Sequence, residues 1–166
     1  MKSILIKEKG IFMTKLLTQD CFDEFLTEEV KITTSISFSL NGRLHRDFFN
    51  EEEKALMSPE EFTSWAGIKG LCYEIFKGKN MPLSFSIILR SPRALTDQIL
   101  KDCSDTLKDS ISSLMLCIRF DGRDINCITG CSLSSFVADR SAENAWDKWC
   151  VGFLLKNFPA SEPQEP

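Results

Sequence analysis

The chain carries a single histidine, and it stands in the triplet His45-Arg46-Asp47. That triplet matches the catalytic loop of protein kinases, where the aspartate accepts a hydroxyl proton. The match ends there: no glycine-rich loop or strand lysine precedes it, and no Asp-Phe-Gly follows. With one imidazole in the chain, His-rich zinc sites are excluded, and any Cys–His dyad depends on His45. Cys127 and Cys131 are four apart, not the C-x-x-C of a zinc or redox pair, and on a strand both thiols share a face and pack as core. Glycine spacing offers neither a dinucleotide fingerprint nor a phosphate loop. The serine ladders at Ser35, Ser37, Ser39 and at Ser132, Ser134, Ser135 have no base near them in sequence. Catalytic, cofactor-binding and metal-ligating residues are therefore all read as none. Basic residues near turns remain, among them Lys69, Lys77, Lys79, Arg90, Arg93 and Arg119. The candidate anion or partner patch is Arg43, His45, Arg46 and Arg123, which converge if two hairpin tips face one way.

The elements that would position such a patch follow from hydrophobic period. Ile111–Phe136 reads as a β-hairpin turned at Asp121-Gly122, with Leu114, Leu116, Ile118 and Phe120 on one face. Ile125, Cys127, Thr129, Cys131 and Leu133 form the facing set. Lys31–Leu40 alternates cleanly and ends at Asn41-Gly42, the strongest short-range hairpin signal, so Arg43–Phe49 is expected to return as a strand. Lys2–Lys7 and Leu83–Arg90 read as further strands. Ile11–Gln19, Lys69–Lys77, Arg93–Ser110 and Ala142–Asn157 have helical spacing. The last carries Trp146, Trp149, Cys150, Phe153 and Leu154 on one stripe. Ser58-Pro59-Glu60-Glu61 has the form of a capping box opening a short helix. Residues 159–166 are polar and Pro-rich and are expected to be a disordered tail, leaving 1–158 as one α+β domain.

Composition narrows the function classes. The 166 residues are 43% hydrophobic, with 13 Phe, enough for a sizeable core without staples. A net charge of −4 argues against non-specific binding of nucleic acid or membrane through overall charge. Seven cysteines, an odd number, with too short an apolar start for a signal peptide, point to reduced thiols in the cytoplasm. No apolar run reaches the length of a membrane span.

The fold expected is α+β: a mainly antiparallel sheet of about 6–8 strands built from hairpins, with 3–4 helices packed on it. The likeness of Leu40-Asn41-Gly42-Arg43 to Phe120-Asp121-Gly122-Arg123 suggests two similar halves. Three runs, F-M-T-K-L-L-T-Q-D-C-F-D-E-F-L (12–26), I-T-T-S-I-S-F-S-L-N-G-R-L (32–44) and I-T-G-C-S-L-S-S-F (128–136) with A-W-D-K-W (145–149), resemble a family of small bacterial proteins carried as a domain of unknown function. That resemblance spans nearly the whole chain and implies no activity. In architecture, W-A-G-I-K-G-L-C-Y-E-I-F-K-G (65–78) leading into L-S-F-S-I-I-L (83–89) is similar to one module of the DNA sliding clamps. The candidate inner helices carry few basic residues for phosphates (Lys15, Lys69, Lys77). The function read from the sequence is a non-enzymatic cytoplasmic module that binds a protein or itself, with no cofactor and no membrane. A clamp-like nucleic-acid partner is the second reading, and an enzyme of unrecognised type the third.

Overall fold

Alternating apolar residues over ten positions make Ile111–Phe120 the longest strand, and it lies at the centre of the sheet. The computed structural model describes residues 1–165. In chain order the elements are β1 (Ser3–Ile6), α1 (Lys9–Thr18), β2 (Leu26–Thr33), β3 (Ser37–Asn41), a 3-10 turn (Arg46–Phe48) and α2 (Glu51–Leu56). There follow α3 (Trp65–Phe76), β4 (Ser84–Arg90), α4 (Arg93–Ile99), α5 (Asp105–Ser110), β5 (Ile111–Phe120), β6 (Ile125–Leu133), α6 (Ser141–Asn157) and β7 (Glu162–Gln164). The strands form one seven-stranded sheet in the order β3-β2-β4-β5-β6-β1-β7, and every neighbouring pair is antiparallel. Among the described residues, no helix is long and apolar enough to cross a membrane.

One phase of each strand is buried. Phe85, Ile87 and Leu89 of β4, Leu114, Leu116, Ile118 and Phe120 of β5, and Ile125 and Cys127 of β6 pack against the helices. The opposite phase, including Ser86, Met115, Arg119 and Asn126, stays partly or fully exposed. Two tryptophans pin helices to this core through their one polar atom. Trp146 donates from Nε1 to the Met115 carbonyl at 2.8 Å, and Trp65 to the Leu16 carbonyl at 2.7 Å. Burying an indole with its N–H satisfied is what lets so large a residue sit in a core. Beside them Phe12, Phe22, Phe25, Phe153 and Phe158 form a contiguous aromatic cluster.

Several expectations are corrected. The described residues hold six α-helices, not three or four, because Arg93–Ser110 is broken into α4 and α5 and the acidic stretch after Asn50 is itself helical. The capping box is Asn50 with Glu53, whose side chains exchange bonds with each other's backbone. Ser58–Glu61 starts no helix: Glu60 accepts from the Arg93 amide at 2.8 Å and Glu61 pairs with Arg43, so tertiary partners take both carboxylates. α3 runs unbroken through Gly67 and Gly70. Asn41-Gly42 does not turn a hairpin. The β2–β3 turn is at Thr34–Ile36, and Arg43 and onward form a strap whose two ends pair at an Arg43–Phe62 bridge and bond to β2 through the Gly42 amide on the Glu28 carbonyl and the Thr27 amide on the Thr63 carbonyl. The Asn/Asp-Gly-Arg likeness therefore falls on a turn in one case and a strand end in the other. The C-terminal residues expected to be disordered pair as β7 with β1, over Glu162–Gln164. An edge strand needs only backbone partners, and a proline is tolerated there because one side of its backbone faces outward. Pro166 lies outside the described residues.

Candidate functional site

Lys9, Gly10, Met13 and Leu17 recur at helical spacing along one side of α1, and they form one wall of a pocket of about 300 Å³. The opposite wall is the end of α3, Tyr73, Phe76 and Lys77, and the loop through Met81 and Pro82. Phe85, Phe120 and Ile125, buried at one end of β4, β5 and β6, make the floor. The rings of Phe76 and Phe85 meet edge to face at 5.1 Å, and Phe85 and Phe120 lie at 5.4 Å, so the floor is held by aromatic contacts. Gly78, at φ 152, lets the chain leave α3 and fold over the mouth, a conformation a side chain would resist. Gly122, at φ 95, brings the β5–β6 turn against the Leu83 carbonyl, where an added Cβ would sit at 3.0 Å.

The rim is basic. Lys9 donates from Nζ to the Arg123 carbonyl at 2.5 Å, Lys77 pairs with Glu74 at 2.5 Å, and Lys79 makes no ion pair among the described residues. Lys77 is held above the usual lysine range by the hydrogen bond it donates to the Glu74 carboxylate. The lining contains three lysines and no acid. The lip is apolar, with Met81 72% exposed and Tyr73 42%. Pockets of this kind, apolar and aromatic inside with a few placed charges, are where proteins bind other molecules.

A second cavity, of about 340 Å³, lies between the strap and α4 and α5 and is polar. Several of its charges are already engaged, Glu60 by the Arg93 amide and Glu61 by Arg43. Arg90 lies 4.6 Å over the Phe62 ring, donates to the Ser112 carbonyl at 3.3 Å and faces Glu28 at 3.5 Å. It is a seam of the fold.

The patch read from the sequence is not brought together. Arg43, His45 and Arg46 all lie on the strap at the end of the sheet where β3 stops. Arg43 pairs with Glu61 and lies 5.0 Å over Phe62, and Arg46 donates to the carbonyls of Ser58 and Glu60, each at 3.1 Å. His45 is exposed, just before the 3-10 turn. Arg123 is in the β5–β6 turn at the opposite end: Asn41 aligns with Glu29, Ile88 and Cys117 across the sheet, several residues before Phe120. Arg123 instead neighbours the pocket through Lys9. The pocket itself had a weak signal in the sequence, a Met81 exposed between Gly78 and Pro82 with Lys77 and Lys79 beside it. Its walls and floor are drawn from α1, the end of α3 and the strands β4, β5 and β6, which are spread over residues 9–125.

Burial governs the thiols. It pushes Cys72 up to about 11 and raises Cys127 and Cys150 further, so these three stay protonated at neutral pH. Among the described residues, no group of three or more His, Cys, Asp or Glu is gathered so as to hold a metal ion. Asp121, in the β5–β6 turn, is held below the usual carboxylate range by the amides of Asp124 and Arg123, a turn-building role.

Compared with known proteins, residues 15–159 match the sequence model of a family of unknown function, DUF5721. No curated protein and no solved structure matches the chain.

Proposed function

The chain belongs to this family of unknown function, and from that premise we propose that it is a non-enzymatic cytoplasmic module that binds a protein. Its lysine-rimmed apolar pocket receives an apolar segment flanked by acidic residues. The observation that carries this reading is the pocket itself: an aromatic floor, an exposed apolar lip and three lysines with no acid in the lining. Burying one bulky side chain contributes about 1.5–3 kcal/mol. The rim charges add specificity and speed of encounter more than affinity. Seven cysteines without a disulfide suit a reducing compartment.

Nucleic acid is the less favoured partner. Of the helix lysines that could face phosphates, Lys15 is bonded to the Asn157 carbonyl and Lys69 is paired with Asp23. His45 and the buried thiols offer no activated nucleophile to an enzymatic reading.

The test is a fluorescence-anisotropy titration with short labelled peptides, each with a Phe-Leu centre flanked by Asp and Glu, or by Lys. Acidic peptides should bind at micromolar strength, weaken as salt rises, and lose most of their affinity with Met81→Asp or Lys79→Glu. Equal binding of the basic peptides, or no binding by either set, defeats the proposal.

A further inference from the structure

The pocket's chemistry is matched by another part of the same chain. The strap between β3 and α3 carries Phe48 and Leu56, 84% and 89% exposed, the latter in α2. Around them stand Asp47, Glu51, Glu52 and Glu53, with Lys54 the only base of α2. α2 has six residues and buries none of them, and neither does the 3-10 turn before it. So short a helix is marginal in isolation; here it is closed by the Asn50–Glu53 capping box and tethered at its flanks. The strap thus presents an acidic, preformed turn and helix whose large apolar side chains face solvent, Phe48 meeting the neighbouring Phe49 ring edge to face at 5.3 Å and Leu56 lying free on α2. The pocket presents the converse, an apolar cleft ringed by Lys9, Lys77 and Lys79.

The strap cannot fill the pocket of its own chain. It is fastened at the end of the sheet where β3 stops, by the bond from the Gly42 amide to the Glu28 carbonyl, that from the Thr27 amide to the Thr63 carbonyl and the Leu26–Ser64 bridge. The pocket floor is at the other end, at Phe85, Phe120 and Ile125. We infer that the occupant of the pocket is the strap of a second copy of this chain, Phe48 and Leu56 entering the cleft while Glu51–Glu53 meet the lysine rim. This rests on the reading of the pocket as an acceptor of acidic apolar segments and names the segment. Two unlike patches on each chain make the contact head-to-tail, so pairing is reciprocal in a closed dimer or sequential in a longer array.

The test uses the full chain and two double variants in sedimentation velocity, from roughly 1 to 500 μM. Phe48→Asp with Leu56→Asp disables the strap, and Lys79→Glu with Met81→Asp disables the pocket lip. All four residues are exposed, and circular dichroism confirms that each variant is folded. The unaltered chain should associate, and its association should weaken on the order of tenfold between low and high salt. Each variant alone should be a monomer. Mixed, they should form a one-to-one pair, because one intact strap and one intact pocket remain between them.

A monomeric unaltered chain overturns the inference, as does a strap variant that still associates or a mixture that stays monomeric. Anisotropy with the acidic peptides separates the two failures. Peptides that bind a monomeric chain, and release with Met81→Asp, leave the pocket reading standing and sink only the self-pairing. Self-association untouched by either variant, with no peptide binding, sinks both.

Discussion

Replacing Gly42 with alanine should loosen the strap and cost the protein about 2–4 kcal/mol. Gly42 has no positive φ, so its backbone would accept alanine; space is what forbids it. An added Cβ would land on the Thr27 carbonyl oxygen, 2.8 Å from the carbonyl carbon and 3.2 Å from the Thr27 Cβ. The obstacle is backbone, so it cannot rotate away. Relief requires β2 and the strap to part, and this strains the bond from the Gly42 amide to the Glu28 carbonyl (3.1 Å) and that from the Thr63 amide to the Gly42 carbonyl (2.8 Å). Overpacking of this kind costs about 1–3 kcal/mol, and two weakened hydrogen bonds about 0.5–1.5 kcal/mol each. The stiffer unfolded chain returns roughly 0.4–1 kcal/mol. With a urea slope of about 1–3 kcal/mol per molar, the midpoint should fall by on the order of 1–2 M. Amide exchange would report the site directly, the Gly42 and Thr63 amides losing protection while the β5–β6 amides keep theirs. A midpoint within about 0.3 M of the parent, with both amides still protected, would refute the close approach.

Three further outcomes follow from burial and charge. Gly152, in the exposed part of α6, has nothing within 4 Å of an added Cβ, so Gly152→Ala should stabilise by about 0.5–1 kcal/mol in the same urea assay. Native-state alkylation read by mass spectrometry should spare Cys72, Cys127 and Cys150, which are buried with raised pKa, and label all seven thiols once denatured. Arg140, and after it the Met1 ammonium, hold Glu143 down at about 2. A depressed carboxylate gives stability that is complete above its ordinary value near 4.5 and is lost as pH falls towards 2. Acid unfolding of Glu143→Gln should therefore start from lower stability at neutral pH and lose less of it over that interval.

The central hairpin was legible because it breaks phase at its turn. β5 and β6 partners add to an odd number, Phe120 with Ile125, so the four-residue loop shifts the alternation and the turn chemistry of Asp121-Gly122 stands out. The β2–β3 hairpin was hidden for the opposite reason. Its partners, Ile32 with Phe38 and Val30 with Leu40, share parity, and a three-residue turn lets alternation pass through unbroken. A period of two then reads as one long strand, and Asn41-Gly42 takes a turn's appearance though its glycine serves close approach. The helix Ser141–Asn157 was plain from its stripe, whereas α2 has no buried stripe to show and is set by a capping box and its tethers. The α+β class, the central hairpin and the core tryptophans are thus local properties, written in period and residue type. The ends of the sheet at which Arg43 and Arg123 fall depend on strand register. The meeting of α1, the end of α3 and the floor of β4–β6 depends on long-range packing. Such contacts leave no periodic trace in the chain, and the pocket exists only where they meet.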